Sequence, residues 1–419
     1  MKDKKINKKE EKDYNSKLKN FLNKKTDYKV YELILFTLLI IILSVSLTLV
    51  SVKSFQPDKT KTGILKSSTI KEFDEVYNLI IDEYYKKVDK NTLINGAING
   101  MLQSLDDPHT SYFNKSETEN FDEVMNGSYE GIGAEISLDA SGNIIVASVF
   151  KNSPAAIAGL KFNDKIIAVN DKSTNGMSTT GVVALIKDKD KKTAKVKINR
   201  DGEELEFEIE KRIVVIESVE SKTYDINNKK IGYVAINNFA NNTYDQFRDN
   251  IESLEKENID GLVIDVRGNS GGYLHSVTDM LDMFLPKGSV SYQIADKKTT
   301  YKYTVSTSES RNYPIAVLVN KASASASEIL AVGLKESYGA DVIGTYTYGK
   351  GTVQTTKKLN SGGMIKYTIQ KWLSPKGNCI NAVGEKPTVE IELSNDYEKN
   401  PSEQNDNQLK KALEIISVK

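Results

Sequence analysis

Three segments of the 419-residue chain hold side chains whose type and spacing could do chemistry. The first is Ser323-Ala-Ser325-Ala-Ser327-Glu328-Ile-Leu330, directly after the apolar run Ile315–Val319. Ser325 and Glu328 have capping-box spacing, so a helix start is the plain reading. A serine there would also meet free amides and the positive end of a helix dipole, which favour a developing oxyanion. The second is Gly349-Lys350-Gly351-Thr-Val-Gln354, a lysine between glycines that let backbone approach closely. A strand would place Lys350 and Gln354 on one face, and a helix would do so as well. Spacing alone leaves a helix cap and a Ser325–Lys350 dyad equally open.

The third segment, Gly268-Asn-Ser270-Gly-Gly272, matches G-x-S-x-G after a strand, the context of a hydrolase nucleophile elbow. That motif needs a histidine base, and the chain has two histidines, His109 and His275. His275 follows by five residues and no obvious acid orients it. A glycine-rich strand-to-helix turn whose amides face a pocket is the favoured reading. Gly344–Gly351 approaches a phosphate-binding loop, but Gly351 stands where a magnesium-binding hydroxyl belongs, and its tyrosines read as strand.

The elements that must position these residues follow from apolar spacing. From Ile231 onward, short apolar runs at Ile231–Ile236, Leu262–Val266 and Ile315–Val319 read as strands buried on both faces. Amphipathic stretches at 242–257, 273–285 and 326–338 separate them, which predicts an α/β core with chemistry on the loops at strand ends. Residues 127–210 predict instead a compact β-rich module. In it Ala134–Leu138 and Ile144–Val149 flank a turn, Ser153–Gly159 is a short capped helix, and Asp201-Gly202 joins a hairpin. Helices are predicted over Ile70–Tyr84, after the capping box Thr69–Glu72, over Leu93–Leu105, and over Gln408–Val418.

Composition excludes several classes. With 39% hydrophobic residues the chain can build real cores, which rules out a wholly disordered protein. Cys379 is the single cysteine, so neither a disulfide scaffold nor a cysteine-based zinc site can form within the chain. The zero net charge hides an asymmetry: eleven lysines against five acids give residues 1–29 a charge of +6, leaving −6 elsewhere. That distribution argues against nucleic acid as a partner. Leu33–Val52 is twenty residues without a charge, enough for a ~30 Å hydrocarbon core at ~1.5 Å per residue. The sequence thus predicts an N-terminal transmembrane helix. Its basic flank predicts a cytoplasmic N-terminus and an extracytoplasmic domain, held at the cell membrane by one span.

Together these segments resemble the C-terminal processing peptidases, membrane-anchored tail-specific serine proteases with a PDZ domain. The resemblance rests on Gly100–Tyr112, Gly127–Ile136, Asp265–Gly272, Ser323–Leu330 and Gly349–Gln354, and its reach is roughly residues 68–419. Its most specific part is the pairing of the serine-rich and Gly-Lys-Gly motifs, with Ser325 and Lys350 twenty-five residues apart. It implies Ser325 as nucleophile, Lys350 as general base and Gln354 as the residue orienting it. The oxyanion hole would come from the amides of Gly271 and Ala326. The family usually has proline where this chain has Ser270, which explains the G-x-S-x-G match.

The implied reaction is attack of Ser325 on a peptide carbonyl, with Lys350 taking the proton, and it requires no metal or cofactor. A free lysine, pKa ~10.4, is neutral in about one molecule per thousand at pH 7.4. Lowering it to ~7–8 takes about 4 kcal/mol of preference for the neutral form, which burial can supply. The implied partners are protein or peptide substrates with free C-termini, bound around Gly131, Ile132, Gly133 and Ile136, and a second copy through terminal helices. A non-catalytic, membrane-tethered PDZ binding protein is the alternative. The expected organisation is a basic tail (1–29), a transmembrane helix (30–52), a linker (53–67) and a helical region (68–114). A PDZ-like domain (115–210), an α/β serine peptidase core (211–395) and a C-terminal helical segment (396–419) follow.

Overall fold

The computed structural model describes residues 68–307 and 311–419, with Asp13, Ser16, Lys17 and Lys19 in addition. The chain divides into two compact units, residues 1–93 and 94–419. Helix α1 (Ser68–Glu83) belongs to the first, and α2 (Lys90–Gln103) follows it in sequence. Among the described residues no helix is long and apolar enough to cross a membrane. Even α1, with 16 residues, is only about 24 Å long and is studded with charges. The stretch 33–52, on which the transmembrane expectation rests, lies outside the described residues. The fold class is therefore corrected to a mixed α/β architecture with a β-rich module, and the transmembrane helix finds no support in it.

In the second unit, β1 (Ser111–Phe113) leads to α3 (Lys115–Asn126), whose capping box joins Asn114 and Glu117 and whose exit is Gly127 at φ 68°. Strand β2 (Ser128–Gly131) then enters the β-rich module. Its further elements are β3 (Ala134–Leu138), β4 (Ile144–Val149), α4 (Pro154–Ala158), β5 (Lys165–Val169) and β6 (Lys172–Ser173). They continue as α5 (Thr179–Ile186), β7 (Thr193–Arg200), β8 (Glu203–Glu210) and β9 (Arg212–Val215). The sheet order is β3-β4-β5-β7-β8, with β6 on β5, and β2 pairs separately with β9. Alternation explains β7: Ala194, Val196 and Ile198 are fully buried while the residues between them are not. Strand β3 is an edge, paired on one side only.

The α/β core follows as β10 (Val219–Ile226), β11 (Lys229–Ile236), α6 (Thr243–Lys256), β12 (Gly261–Asp265) and α7 (Leu274–Phe284). Next come β13 (Val290–Ala295), β14 (Thr300–Thr304), β15 (Ile315–Val319), α8 (Ala326–Gly333) and β16 (Asp341–Gly344). The chain closes with β17 (Thr352–Lys358), β18 (Met364–Leu373), β19 (Val389–Glu390), α9 (Asn395–Lys399) and α10 (Asn407–Ser417). Strands β10-β11-β12-β15-β16-β19 form one sheet, antiparallel at β10–β11 and parallel beyond.

Every residue of β12 and β15 is buried, because both faces of this sheet are covered. Leu262, Ile264, Val317 and Val319 pack with Phe247, Ile251, Met280 and Leu330 of α6, α7 and α8. Val263, Ala316 and Leu318 point the other way, onto Leu409, Leu413 and Ile416 of α10. That last helix is also tied electrostatically: Arg267 pairs with Asp265 at 2.6 Å and with Asp406, the α10 cap, at 2.8 Å. A second sheet, β1-β18-β13-β14 with β17 also on β18, flanks the carboxyl edge.

Candidate active site

Three successive loops leave the carboxyl ends of parallel strands, where ligands meet open α/β sheets. The loop after β12 carries Gly271, the loop after β15 carries Ser325, and the loop after β16 carries Lys350. The first two are laced together. Ser323 Oγ donates to Val266 O at 2.8 Å, Ser327 Oγ donates to Asn269 O at 2.8 Å, and Ala324 N donates to Asn269 O at 3.1 Å. Both outer serines of the motif are therefore fully buried structural ties. Ser325 is different. It sits at the cap of α8 with φ 55° and ψ −112°, a backbone conformation costly for a non-glycine residue. The crossed ties on either side hold it there.

Glu328, fully buried one turn into α8, joins this loop to the next. Its Oε2 accepts from Ser325 N at 2.7 Å and from Lys350 N at 2.9 Å. Its Oε1 accepts from Thr347 Oγ1 at 2.6 Å and from Gly349 N at 2.7 Å. One carboxylate thus fixes the backbones of Ser325 and Lys350 together. Trp372 Nε1 donates to Lys350 O at 2.8 Å and holds the backbone on the other side of the same residue. Gly349 is required by proximity: at φ 87°, a Cβ would stand 2.7 Å from Gly384 N.

Ser325, Ala326, Gly271, Lys350 and Gln354 all open onto one cavity of about 550 Å³. Burial pushes the Lys350 ammonium below the usual lysine range; the positive charge of Lys366 pushes the same way, against Glu328 and Asp107. Gln354 Nε2 donates to Thr352 Oγ1 at 2.8 Å and to Thr368 Oγ1 at 3.1 Å, which leaves its carbonyl end uncommitted among the described residues. Ala326 is the first residue of α8, so its N–H has no acceptor within the helix. Gly271 N donates to Asn269 Oδ1 at 2.8 Å, so the expected free amide is engaged. Its lack of a side chain matters sterically: at φ 104°, a Cβ would lie 2.9 Å from Ser325 Cβ.

The other candidates separate cleanly. Ser270 lines the cavity, but His275 Nε2 lies 3.1 Å from Asn241 Oδ1 and its ring packs on Tyr273, so no Ser270–His275 pair is formed. Residues 345–351 are irregular loop rather than the expected strand, and β17 follows where a phosphate-binding loop needs a helix. His109 packs against Tyr348, and burial followed by the Lys350 charge lowers its pKa.

In the module, Gly131 ends β2 and Gly133 lies against Ser153. Ile132 is a core residue, 3% exposed, while Ile136 is partly buried against that core. The expected domain start at 115 takes in α3, yet Phe121, Val124 and Met125 of that helix line the cavity. Sequence reasoning missed those three residues and Lys366. Lys366 shows no local signal, because β18 brings it to the cavity only through pairing with β1 and β17.

Comparison with known proteins agrees with this architecture. Residues 230–391 match the model of peptidase family S41, residues 127–210 match a PDZ domain, and residues 44–118 match the N-terminal domain of the activating protease CtpB. The chain is 40% identical to the carboxy-terminal processing protease CtpB of Bacillus subtilis (strain 168), over 84% of this chain and 72% of that protein. It is 38% identical to CtpA of the same strain, over 81% of this chain and 72% of that protein. Among solved structures, one assigned to the S41 proteases of Bacteroides fragilis NCTC 9343 shares the fold, with a TM-score of 0.51 at 18% identity. The match spans 80% of this chain and 91% of that one. The chain belongs to the carboxy-terminal processing proteases, PDZ-containing serine peptidases of family S41.

Proposed function

We propose that Ser325 is the nucleophile of this peptidase, Lys350 its general base and Gln354 the residue that orients Lys350. The observation that carries the reading is the shared cavity, onto which Ser325 and a lysine of lowered pKa both open. Ser325 Oγ attacks the scissile carbonyl carbon as its proton passes to neutral Lys350 Nζ. The carbonyl oxygen becomes an oxyanion at Ala326 N–H, and the Gly271 N–H joins on exchanging Asn269 Oδ1 for the substrate oxygen. Collapse breaks the C–N bond, and Lys350 returns the proton to the departing amine. Water then attacks the acyl-enzyme, Lys350 takes its proton, and Ser325 leaves with that proton restored.

Cleavage falls near substrate C-termini because the PDZ domain captures the tail. In support, β3 is an edge strand, free to accept an extended peptide as a further strand, and it begins directly after the Gly131–Gly133 turn. Gly131 and Gly133 amides would meet the terminal carboxylate and Ile136 the last side chain. Ile132 serves this site from the core beneath.

The test is peptide cleavage by purified variants. Ser325→Ala and Lys350→Ala should each lower turnover by at least about a thousandfold with unchanged melting temperature. Ser270→Ala, His109→Ala and His275→Ala should keep it. Activity that survives Lys350→Ala and disappears in His275→Ala would move the chemistry to Ser270.

A further inference from the structure

The cavity lining includes two lysines, Lys350 and Lys366, and His275, but no aspartate or glutamate. Lys350 must be neutral to act as a base, so Lys366 is the standing charge of the cavity. It projects from β18, and its ammonium lies 5.5 Å from the centre of the Phe113 ring and 5.8 Å from that of Phe121. Those rings hold the charge by their negative faces without neutralising it. No carboxylate among the described residues lies within ion-pair distance of Lys366, although nineteen ion pairs occur elsewhere. Burial holds its pKa below the usual lysine value, the condition of a partly desolvated cation lacking a counter-ion. Such a group is costly unless something negative arrives to pair with it.

We infer that Lys366 is a specificity-determining residue that binds an acidic side chain of the substrate next to the scissile bond. The rest of the lining fits the same occupant. Phe121, Val124, Met125, Leu274 and Ile329 give an apolar wall, so the preferred segment presents an apolar side chain together with an aspartate or glutamate. An acidic side chain is favoured over the terminal carboxylate because the PDZ groove takes the latter. The inference rests on the proposal that this cavity is where peptides are cut. It adds a substrate preference that the Ser325–Lys350 pairing does not itself demand.

The experiment compares matched peptides that differ by one Glu→Gln exchange at each position flanking the cut, in the full-length protein. The acidic peptide should be cleaved about tenfold better in kcat/KM at one position, the scale of a charge-assisted hydrogen bond in a partly dry site. Lys366→Met keeps the apolar stem over Phe113 and Phe121 and should reduce that ratio to about one, and Lys366→Glu should invert it. Each ratio compares two substrates on one enzyme, so any effect on Lys350 cancels, and failure of the dyad assignment would leave the ratio readable. A wild-type ratio near one at every position, or a ratio unchanged in Lys366→Met, overturns the assignment. If Lys366→Met instead removes a preference for free over amidated C-termini, the carboxylate is terminal and the side-chain reading is wrong.

Discussion

At the scale of single residues, the proposed chemistry depends on the protonation of one amine. Lys350 is held below its ordinary 10.5 first by burial, then by Lys366, while Glu328 and Asp107 pull it back up. His109 shares this neighbourhood, and burial followed by the Lys350 charge lowers its pKa, which disfavours a further like charge beside Lys350. In the proposed mechanism the active form is the neutral amine. Its fraction grows as pH rises, so kcat/KM should climb through a single ionisation below the ordinary lysine value. In Lys366→Met, one like charge is gone, the ammonium of Lys350 is less disfavoured, and the rising limb should move to higher pH. A pH–rate profile of the two proteins checks both statements; identical limbs would detach Lys366 from Lys350.

At the scale of elements, the site is a joint between the start of α8 and the loop that precedes β17, and Glu328 is its pin. The four donors it accepts come from Ser325, Thr347, Gly349 and Lys350. A carboxamide of the same size offers only one oxygen. Glu328→Gln should therefore leave two donors facing an NH₂ group, at about 1–3 kcal/mol for each unmet donor. The nucleophile and base should drift apart, with kcat down about a hundredfold and KM nearly unchanged. Steady-state kinetics on a variant shown to melt cooperatively would separate this from simple unfolding.

The Glu328 pin also shows what a sequence can and cannot disclose. The spacing of Ser325 and Glu328 reads as a capping box, and the Ser325 N–H does meet that carboxylate. The other three partners lie 19 to 22 residues away in sequence, beyond the reach of any local pattern. Ala134–Leu138, Ile144–Val149 and Ile315–Val319 were legible to the residue, because alternation or continuous burial marks strands of those types. Lys366 and Phe121 were not, since strand pairing and helix packing alone bring them to the cavity.

At the scale of the whole molecule, α3 connects the PDZ domain to the cavity. Its Phe121, Val124 and Met125 line the cavity, while Glu119 and Glu123 pair with Lys189 and Lys187 just beyond α5 of the PDZ domain. The β3 edge proposed to bind the tail and the cavity proposed to cut it thus belong to one continuous unit. Amidating the C-terminus of a good substrate removes one charge and keeps every side chain. Both binding and cleavage should weaken, and unchanged values would remove the terminal carboxylate from recognition.

In the proposed mechanism Lys350 makes Ser325 nucleophilic, and a fluorophosphonate reads that state directly by forming a covalent adduct with an activated serine. Peptide mapping by mass spectrometry after such treatment should place one adduct on Ser325, absent from Ser325→Ala and lost from Lys350→Ala. An adduct on Ser270, or labelling of Ser325 that is indifferent to Lys350, would contradict it.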